Sequence, residues 1–266
     1  MINSPSLKFF IPVFLLAIIN ELTAQDFTWP KNKQMALSLS FDDARESQVT
    51  IGTPLLDSLG VKVTFYVFPG PLSKQLDGWR DAVKNGHEIA NHSLTHPCSE
   101  NFAWARKNAL ENMSLKQMEQ QLIESNKQIK EILGVEPMHY AYPCGLTYVG
   151  RGVKTKSYVP LVAKYFQTGR DWMGEAPNDP MHCNFDQLTC ISMDGKSFEE
   201  LLPIIEEAKK NKQWLILGGH EINTSGNQTS RTDTIKKLAT YAKDPSNGIW
   251  LDPVGTIADY IKKIRD

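Results

Sequence analysis

The sequence has little net charge of either sign. Its 266 residues include 29 Lys and Arg against 30 Asp and Glu, a formal net charge of -1. Binding to nucleic acid depends on a concentrated basic surface that displaces counterions from phosphates, so this balance argues against a nucleic-acid partner. Repeats and low-complexity tracts are also missing from the sequence. With 41% hydrophobic residues, the composition is that of an ordinary globular protein with a full core.

Long apolar runs are absent, and the one near the N-terminus is short. Lys8 precedes an apolar stretch over residues 9–19, well below the roughly 20 residues of a membrane-spanning helix. A basic residue, a short apolar region and the small residue Ala24 are typical of a secretory signal peptide. We therefore predict a leader over residues 1–24, a secreted or periplasmic location, and no stable membrane span after cleavage. An uncleaved anchor is the alternative.

Cysteine is scarce, with four residues at positions 98, 144, 183 and 190. An even number favours disulfides in an oxidising compartment. Three pairings are possible. Cys183 and Cys190 lie close in sequence, so a local bridge between them is the simplest choice, which leaves Cys98 to pair with Cys144. A zinc knuckle would need paired CxxC ligands, and the sequence contains none.

Strand-like runs alternate with amphipathic stretches over residues 25–266. Strands are predicted at 35–41, 63–68, 88–91 and 214–218, and helices at 53–58, 199–210, 232–243 and 256–264. The clearest helix begins at a capping-box pattern, Ser114 with Gln117, and is stopped by Gly134. This alternation predicts one α/β domain with a largely parallel sheet. Residues 145–195 have weak periodicity and are predicted to form long loops.

Two groups of residues suggest a catalytic metal site. Asp42 and Asp43 directly follow the first predicted strand, and adjacent side chains on an extended chain point to opposite sides, so the two carboxylates can hold different roles. His92 and His96 come within reach of one ion if the chain turns, and Pro97 keeps that turn short. Two imidazoles and one carboxylate, with positions left open for water and substrate, are typical of a catalytic site.

Three further segments carry chemistry. The loop over residues 141–145 (AYPCG) could offer a backbone N–H to a developing oxyanion. The segment Arg170-Asp171-Trp172 places a charged pair next to an aromatic residue. His220 ends an apolar strand, where a buried ring usually has a reason to be present.

Taken in this order, these segments resemble the polysaccharide deacetylase family, the NodB homology domain of carbohydrate esterase family 4. The resemblance covers about residues 35–222. It is carried by SFDD at 40–43, HSLTH at 92–96, DW at 171–172 and LGGH at 217–220. AYPCG is similar to the RxPxG motif of the family except that Ala141 stands at the position of its Arg.

The resemblance implies a NodB-like distorted (β/α)7 barrel as a single domain, with its site at the C-terminal ends of the strands. It also implies an acetylated carbohydrate substrate and one divalent metal ion, usually zinc in this family. By the same carry-over, the metal ligands would be Asp43, His92 and His96. Asp42 would be the general base and His220 the general acid.

The remaining site residues also follow from the resemblance. Asp171 would orient His220, and the backbone N–H of Cys144 would help to hold the oxyanion. A bridge from Cys144 to Cys98 would tie the oxyanion loop to the metal loop. The predicted substrate-binding residues are Tyr142, Pro143, Trp172 and Arg45.

Ala141 leaves the proposed base without its usual cation. Arg45, on the same loop as Asp42, is our first candidate for that cation, and Arg170 is the second. Three alternative functions stay open: a same-fold hydrolase of a cyclic amide or imide, a glycan-binding protein that has lost catalysis, and an iron oxygenase with two His and one carboxylate. N-acetyl and O-acetyl groups are both candidate targets.

Overall fold

The computed structural model describes residues 27–265, so the predicted leader at 1–24 lies outside the described residues and stays a prediction. The strands are β1 Met35–Asp42, β2 Thr64–Val67, β3 Glu88–Asn91, β4 His139–Ala141, β5 Tyr148–Val149, β6 Lys156–Ser157, β7 Thr168–Arg170, β8 Ile191–Ser192, β9 Trp214–Gly219, β10 Glu221–Asn223, β11 Thr229–Arg231 and β12 Ile249–Leu251. The α-helices are α1 Thr53–Ser58, α2 Pro69–Leu72, α3 Leu76–Lys84, α4 Leu115–Leu133, α5 Val159–Tyr165, α6 Phe198–Lys210, α7 Thr232–Lys243 and α8 Val254–Arg265.

The main sheet curls into a barrel. Its parallel strands follow the order β7-β4-β3-β2-β1-β9-β8, and β12 pairs with the start of β1. The two edges meet at Leu188, which precedes β8. Its amide donates to the Gly169 carbonyl at 2.7 Å, and its carbonyl accepts from the Asp171 amide at 2.8 Å. These bonds form the barrel seam, and the predicted distorted (β/α)7 barrel is confirmed.

Strand β1 shows how the barrel divides its side chains. Met35, Leu37, Leu39 and Phe41 belong to the main core, which the sheet shares with residues of helices α1, α3, α4, α6 and α7. Because side chains alternate along a strand, the residues between them face the barrel interior. Asp42 is the last of that inward set, so the strand delivers a carboxylate to the mouth of the barrel.

Most of the longer elements were predicted correctly from sequence. Helix α4 has the expected capping box, with Ser114 and Gln117 bonded reciprocally, and Gly134 ends it in the left-handed conformation at φ 73°. Helices α1 and α7 have the predicted bounds. The prediction of long loops over 145–195 was wrong in part, because α5 and the short strands β7 and β8 lie there. Two- and three-residue strands are too short to show a period.

The disulfide predictions had mixed outcomes. Cys98 and Cys144 are bonded, as predicted. The Cys183–Cys190 bridge was wrong, because both thiols are free. Cys190 is fully buried in the barrel wall, where a Cβ at Gly218 would lie 2.5 Å from its sulfur. Cys183 instead has the Arg265 guanidinium 3.8 Å from its sulfur.

Across residues 27–265, none of the helices combines the length and the apolar character that a membrane crossing requires.

Candidate metal centre and active site

The predicted metal ligands meet at the mouth of the barrel. One ligand atom from each of Asp43, His92 and His96 lies within 4.8 Å of the other two. Asp43 Oδ1 is 3.2 Å from His96 Nε2 and 3.6 Å from His92 Nε2. This oxygen is buried and has no hydrogen-bond partner among the described residues. Three such ligands, with coordination positions left open for water and substrate, could hold a divalent metal ion.

Groups around the ligands orient them. Arg45 donates from Nη2 and Nε to Asp43 Oδ2, at 2.8 Å and 3.1 Å, which leaves Oδ1 free for an ion. His92 Nδ1 lies 2.9 Å from the Ala141 carbonyl. A carbonyl can only accept, so this contact assigns the proton to Nδ1 and leaves Nε2 as the ligand atom.

The backbone at the ligands is in the left-handed region, with φ of 78° at Asp43, 68° at Ser93 and 51° at His96. Non-glycine residues adopt this region rarely, at about 1–3 kcal/mol each, and such residues cluster at functional sites. The turn is fixed by side chains, since Asn91 Oδ1 accepts from the Ser93 amide at 2.6 Å and Ser93 Oγ accepts from the His96 amide at 3.0 Å. The strained turn brings His96 back beside His92.

The charges of the site favour metal-binding forms of its ligands. Burial alone would raise the pKa of Asp43, but His92, His96, His220 and the Arg45 hydrogen bond bring it to about 2. Burial, together with the neighbouring His92, lowers the pKa of His96 to about 4. The carboxylate is therefore ionised and the His96 imidazole neutral near pH 7, as metal ligation requires.

Arg170 supplies the cation that Ala141 cannot. Its Nη2 donates to Asp42 Oδ1, and both side chains are buried. Ala141 and Arg170 are register partners on β4 and β7, so the small Ala141 leaves room for the guanidinium inside the barrel. The guanidinium also lies 4.6 Å from the centre of the Tyr66 ring. Arg170, our second candidate, is the residue that contacts Asp42.

Our first candidate for that contact, Arg45, was wrong. The chain turns at Asp43 and Ala44, both with positive φ, and carries Arg45 away from Asp42. Its guanidinium instead lies between Asp43 and Glu221, whose Oε1 is 3.3 Å from Nη1. Arg45 does line the cleft, consistent with its predicted place near the substrate.

Asp194 orients His220, and the prediction of Asp171 for this position was wrong. Asp194 Oδ2 lies 2.7 Å from His220 Nδ1, while its Oδ1 accepts from Ser230 Oγ at 2.8 Å and from the His220 amide at 3.2 Å. Asp171 Oδ1 accepts instead from the Cys190 amide at 2.8 Å, so it fixes the barrel wall. Burial alone would lower the pKa of His220, but the Asp194 hydrogen bond and nearby carboxylates raise it.

Gln48 is a second residue that the sequence analysis missed. It is fully buried in a π-helical turn, Gln48–Gly52, and its Nε2 donates to the carbonyls of Asp42 at 2.6 Å and His220 at 2.8 Å. π-Helical turns often occur at functional sites. One amide therefore links the backbones that carry the two candidate proton-transfer residues.

The cleft above these residues has a volume of about 1010 Å³. Cys144 and Trp172 line it, and the Trp172 ring packs edge-on against His220 with centroids 4.6 Å apart. Tyr142 and Pro143 do not line it, which contradicts their predicted role. Both are buried, and the Tyr142 hydroxyl donates to the Asp186 carbonyl at 2.6 Å. They position the loop that presents Cys144.

The family model described as polysaccharide deacetylase matches residues 30–155. This part of the chain is similar to the polysaccharide deacetylase family. The matched residues include Asp42, Asp43, both metal-site histidines and Cys144. Arg170, Asp194 and His220 lie beyond it and join the site through the fold.

Individual proteins support the same fold. A gellan lyase from Bacillus sp is 24% identical over 258 residues, covering 87% of this chain but 10% of that protein. The chain thus spans about a tenth of the length of this relative. A proposed polysaccharide deacetylase from Mycobacterium smegmatis superposes with a TM-score of 0.62 at 17% identity, covering 90% of this chain and 94% of the other. A family pseudoenzyme from Bacillus anthracis gives a TM-score of 0.53 at 17% identity, covering 86% and 66%.

Proposed function

We propose that the chain is an exported, metal-dependent carbohydrate deacetylase that hydrolyses N- or O-acetyl groups. The observation that carries this proposal is that two groups beside the candidate metal ligands, Asp42 and His220, each contact a partner of opposite charge. Asp42 is held by the cation of Arg170, and His220 is held by the carboxylate of Asp194. A carboxylate beside a cation suits the role of base, and an imidazole beside a carboxylate suits the role of acid.

A zinc ion held by Asp43, His92 and His96 would lower the pKa of its bound water toward about 7 and polarise the acetyl carbonyl. Asp42, oriented by Arg170, accepts a proton from the attacking water. The backbone N–H of Cys144 donates to the oxyanion as it develops. His220 then protonates the departing sugar amine or hydroxyl, while Asp194 stabilises its cationic form.

A glycan-binding protein without catalysis is the second candidate, favoured by Ala141 and by the pseudoenzyme among the similar structures. The presence of Arg170 beside Asp42 supports catalysis instead, because it supplies the charge that Ala141 lacks.

Acetate release by residues 25–266 tests the proposal. The substrates are N-acetylated oligosaccharides and O-acetylated xylan, each with zinc and with chelator, alongside metal analysis after anaerobic purification. We expect zinc-dependent release that Asp42→Asn abolishes. Glu46→Gln is the control, since Glu46 is a cleft carboxylate outside the metal and proton-transfer groups. Stoichiometric zinc without acetate from any substrate would favour the non-acetyl hydrolase or the glycan-binding protein, and bound iron would favour the oxygenase.

A further inference from the structure

The two strands that carry the candidate base and acid stop pairing just before those residues. The ladder between β1 and β9 ends at the register pair Phe41 and Gly219. Asp42 and His220 directly follow this pair, one on each chain. Pairing with β2 still holds Asp42. The chain after His220 enters β10, which forms a separate two-stranded sheet with β11, so the position of His220 relative to β1 needs another support.

A side chain joins the two strands where their backbones stop pairing. Gln48 Nε2 donates to the Asp42 carbonyl at 2.6 Å and to the His220 carbonyl at 2.8 Å. Carbonyl oxygens only accept, so these two contacts use both N–H groups of one side-chain amide. Gln48 therefore connects the base and the acid directly, one residue beyond the last pair of the ladder.

Ser47 binds the next two residues of the segment that carries the acid. Its hydroxyl donates to the Glu221 carboxylate and accepts from the Ile222 amide at 3.0 Å. The adjacent residues Ser47 and Gln48 therefore contact three consecutive positions, 220–222. We call these two residues the clasp.

The clasp lies below the cleft, in a turn that packs closely on the segment it binds. Ser47 precedes the π-helical turn and Gln48 begins it, and both residues are buried. A Cβ at Gly52 would lie 2.4 Å from Ile222 Cδ1, so a glycine permits this close approach. The described residues that line the cleft include neither member of the clasp. The clasp can therefore affect the reaction only through the residues that it holds.

We propose that the clasp is a pair of positioning residues that fixes the distance between Asp42 and His220. This inference rests on the proposed function and adds how its base and acid are kept in place. Asp194 orients the His220 ring, whereas the clasp fixes the backbone from which that ring projects. Catalytic groups must be held within about 0.5 Å of the productive geometry. A misplacement of about 1 Å can lower the rate about 100-fold.

Steady-state kinetics at saturating zinc test the clasp, with the acetylated substrate that the wild-type protein hydrolyses fastest. Gln48→Met keeps the length of the side chain but has no donor, and Gln48→Glu can donate to at most one carbonyl. We expect kcat to fall about 10- to 100-fold in Gln48→Met. KM should stay within about twofold of the wild-type value, because the clasp does not touch the substrate. Ser47→Ala keeps both Gln48 contacts and should lose less.

Thr53→Val is the matched control. Thr53 begins α1, directly after the π-helical turn, and its buried hydroxyl donates to the Val49 carbonyl at 3.2 Å. This variant loses a hydrogen bond of the same helical segment but none to residues 220–222. It should keep the wild-type kcat.

Crystal structures of the wild-type protein and Gln48→Met measure the positions without depending on turnover. We expect the carbonyl carbons of Asp42 and His220 to move apart by more than about 0.5 Å. That displacement would support the clasp even if the wild-type protein released no acetate, a result that would refute the proposed function alone. If Gln48→Met does not fold, Gln48→Glu is measured in the same two ways.

Three results would overturn the proposal. The first is an unchanged distance between the two carbonyl carbons. The second is a wild-type kcat in the Gln48 variants, or a loss confined to KM. The third is an equal loss of kcat in Thr53→Val, which would reduce the effect to a general loosening of the helical segment.

Discussion

Asp194→Asn is the sharpest test of how His220 obtains its charge. The substitution keeps the size of the side chain and an oxygen that can accept from His220 Nδ1, but it removes the negative charge. Asp194 Oδ2 and His220 Nδ1 are 2.7 Å apart, and both side chains are about 10% exposed, so solvent screens the pair only weakly. The pKa of His220 should therefore fall.

The size of that fall follows from the contact. A hydrogen bond to a charged group contributes about 1.5–3 kcal/mol and an uncharged one about 0.5–1.5 kcal/mol, while about 1.36 kcal/mol corresponds to one pKa unit. Since the substitution keeps an uncharged hydrogen bond, loss of the Asp194 charge should lower the pKa of His220 by roughly one unit. A general acid works only when protonated, so turnover declines as pH rises through this pKa. The basic limb of the kcat profile should move to lower pH by the same amount, while rates converge in acid.

Acetate release measured across the pH range gives the basic limb of the kcat profile. The imidazole proton resonances report the pKa of His220 directly. Asp171→Asn is the matched control, because Asp171 bonds to the Cys190 amide and not to His220. Its basic limb should stay at the wild-type pH. The reasoning is refuted if Asp194→Asn leaves both the limb and the imidazole pKa in place, or if Asp171→Asn moves them equally.

Arg170→Ala leaves Asp42 buried without its partner, so the free energy of unfolding should fall by about 3–5 kcal/mol in urea titrations; an unchanged midpoint would contradict the buried pair. Arg45→Ala releases one oxygen of a metal ligand and should weaken zinc binding about 10- to 100-fold in chelator competition, with Arg45→Lys losing less. Equal affinity in all three proteins would exclude this role for Arg45. Replacing Cys98 and Cys144 with Ala opens a bridge of sequence separation 46, for which chain entropy gives a stability loss of roughly 4 kcal/mol. Thermal unfolding with and without reductant measures this loss, and Cys183→Ala should unfold at the wild-type temperature in both conditions.

The metal ligands could be predicted because each lies at or near the end of a strand that the sequence shows clearly. Asp43 follows an eight-residue buried strand, and His92 and His96 form one short motif. The two histidines are close along the chain, so little of the fold had to be known to predict that they lie together. The same holds for α4, whose caps and apolar face are local properties of the sequence.

Partners of the proton-transfer groups depend on neighbours in space. Arg170 reaches Asp42 because β7 pairs with β4 in the register that sets it beside Ala141. Asp194 follows β8, a strand of two residues within the stretch that we predicted as loops. A carboxylate after so short a strand gives no periodic signal, and Asp171 was chosen because it lies in the DW segment that resembles a family motif. The prediction therefore placed the right chemical group at the wrong residue.

The barrel seam should be the part of the active site that opens first when the protein is heated or exposed to denaturant. Two backbone hydrogen bonds at Leu188 join its edges, and Arg170 lies in the strand that they secure. Regions held by few contacts open before the whole molecule unfolds. Once the seam opens, Asp42 loses its cation while the core between sheet and helices stays packed. Turnover should therefore disappear at milder heat or denaturant than the helical signal in circular dichroism, so inactivation reports a local opening before global unfolding.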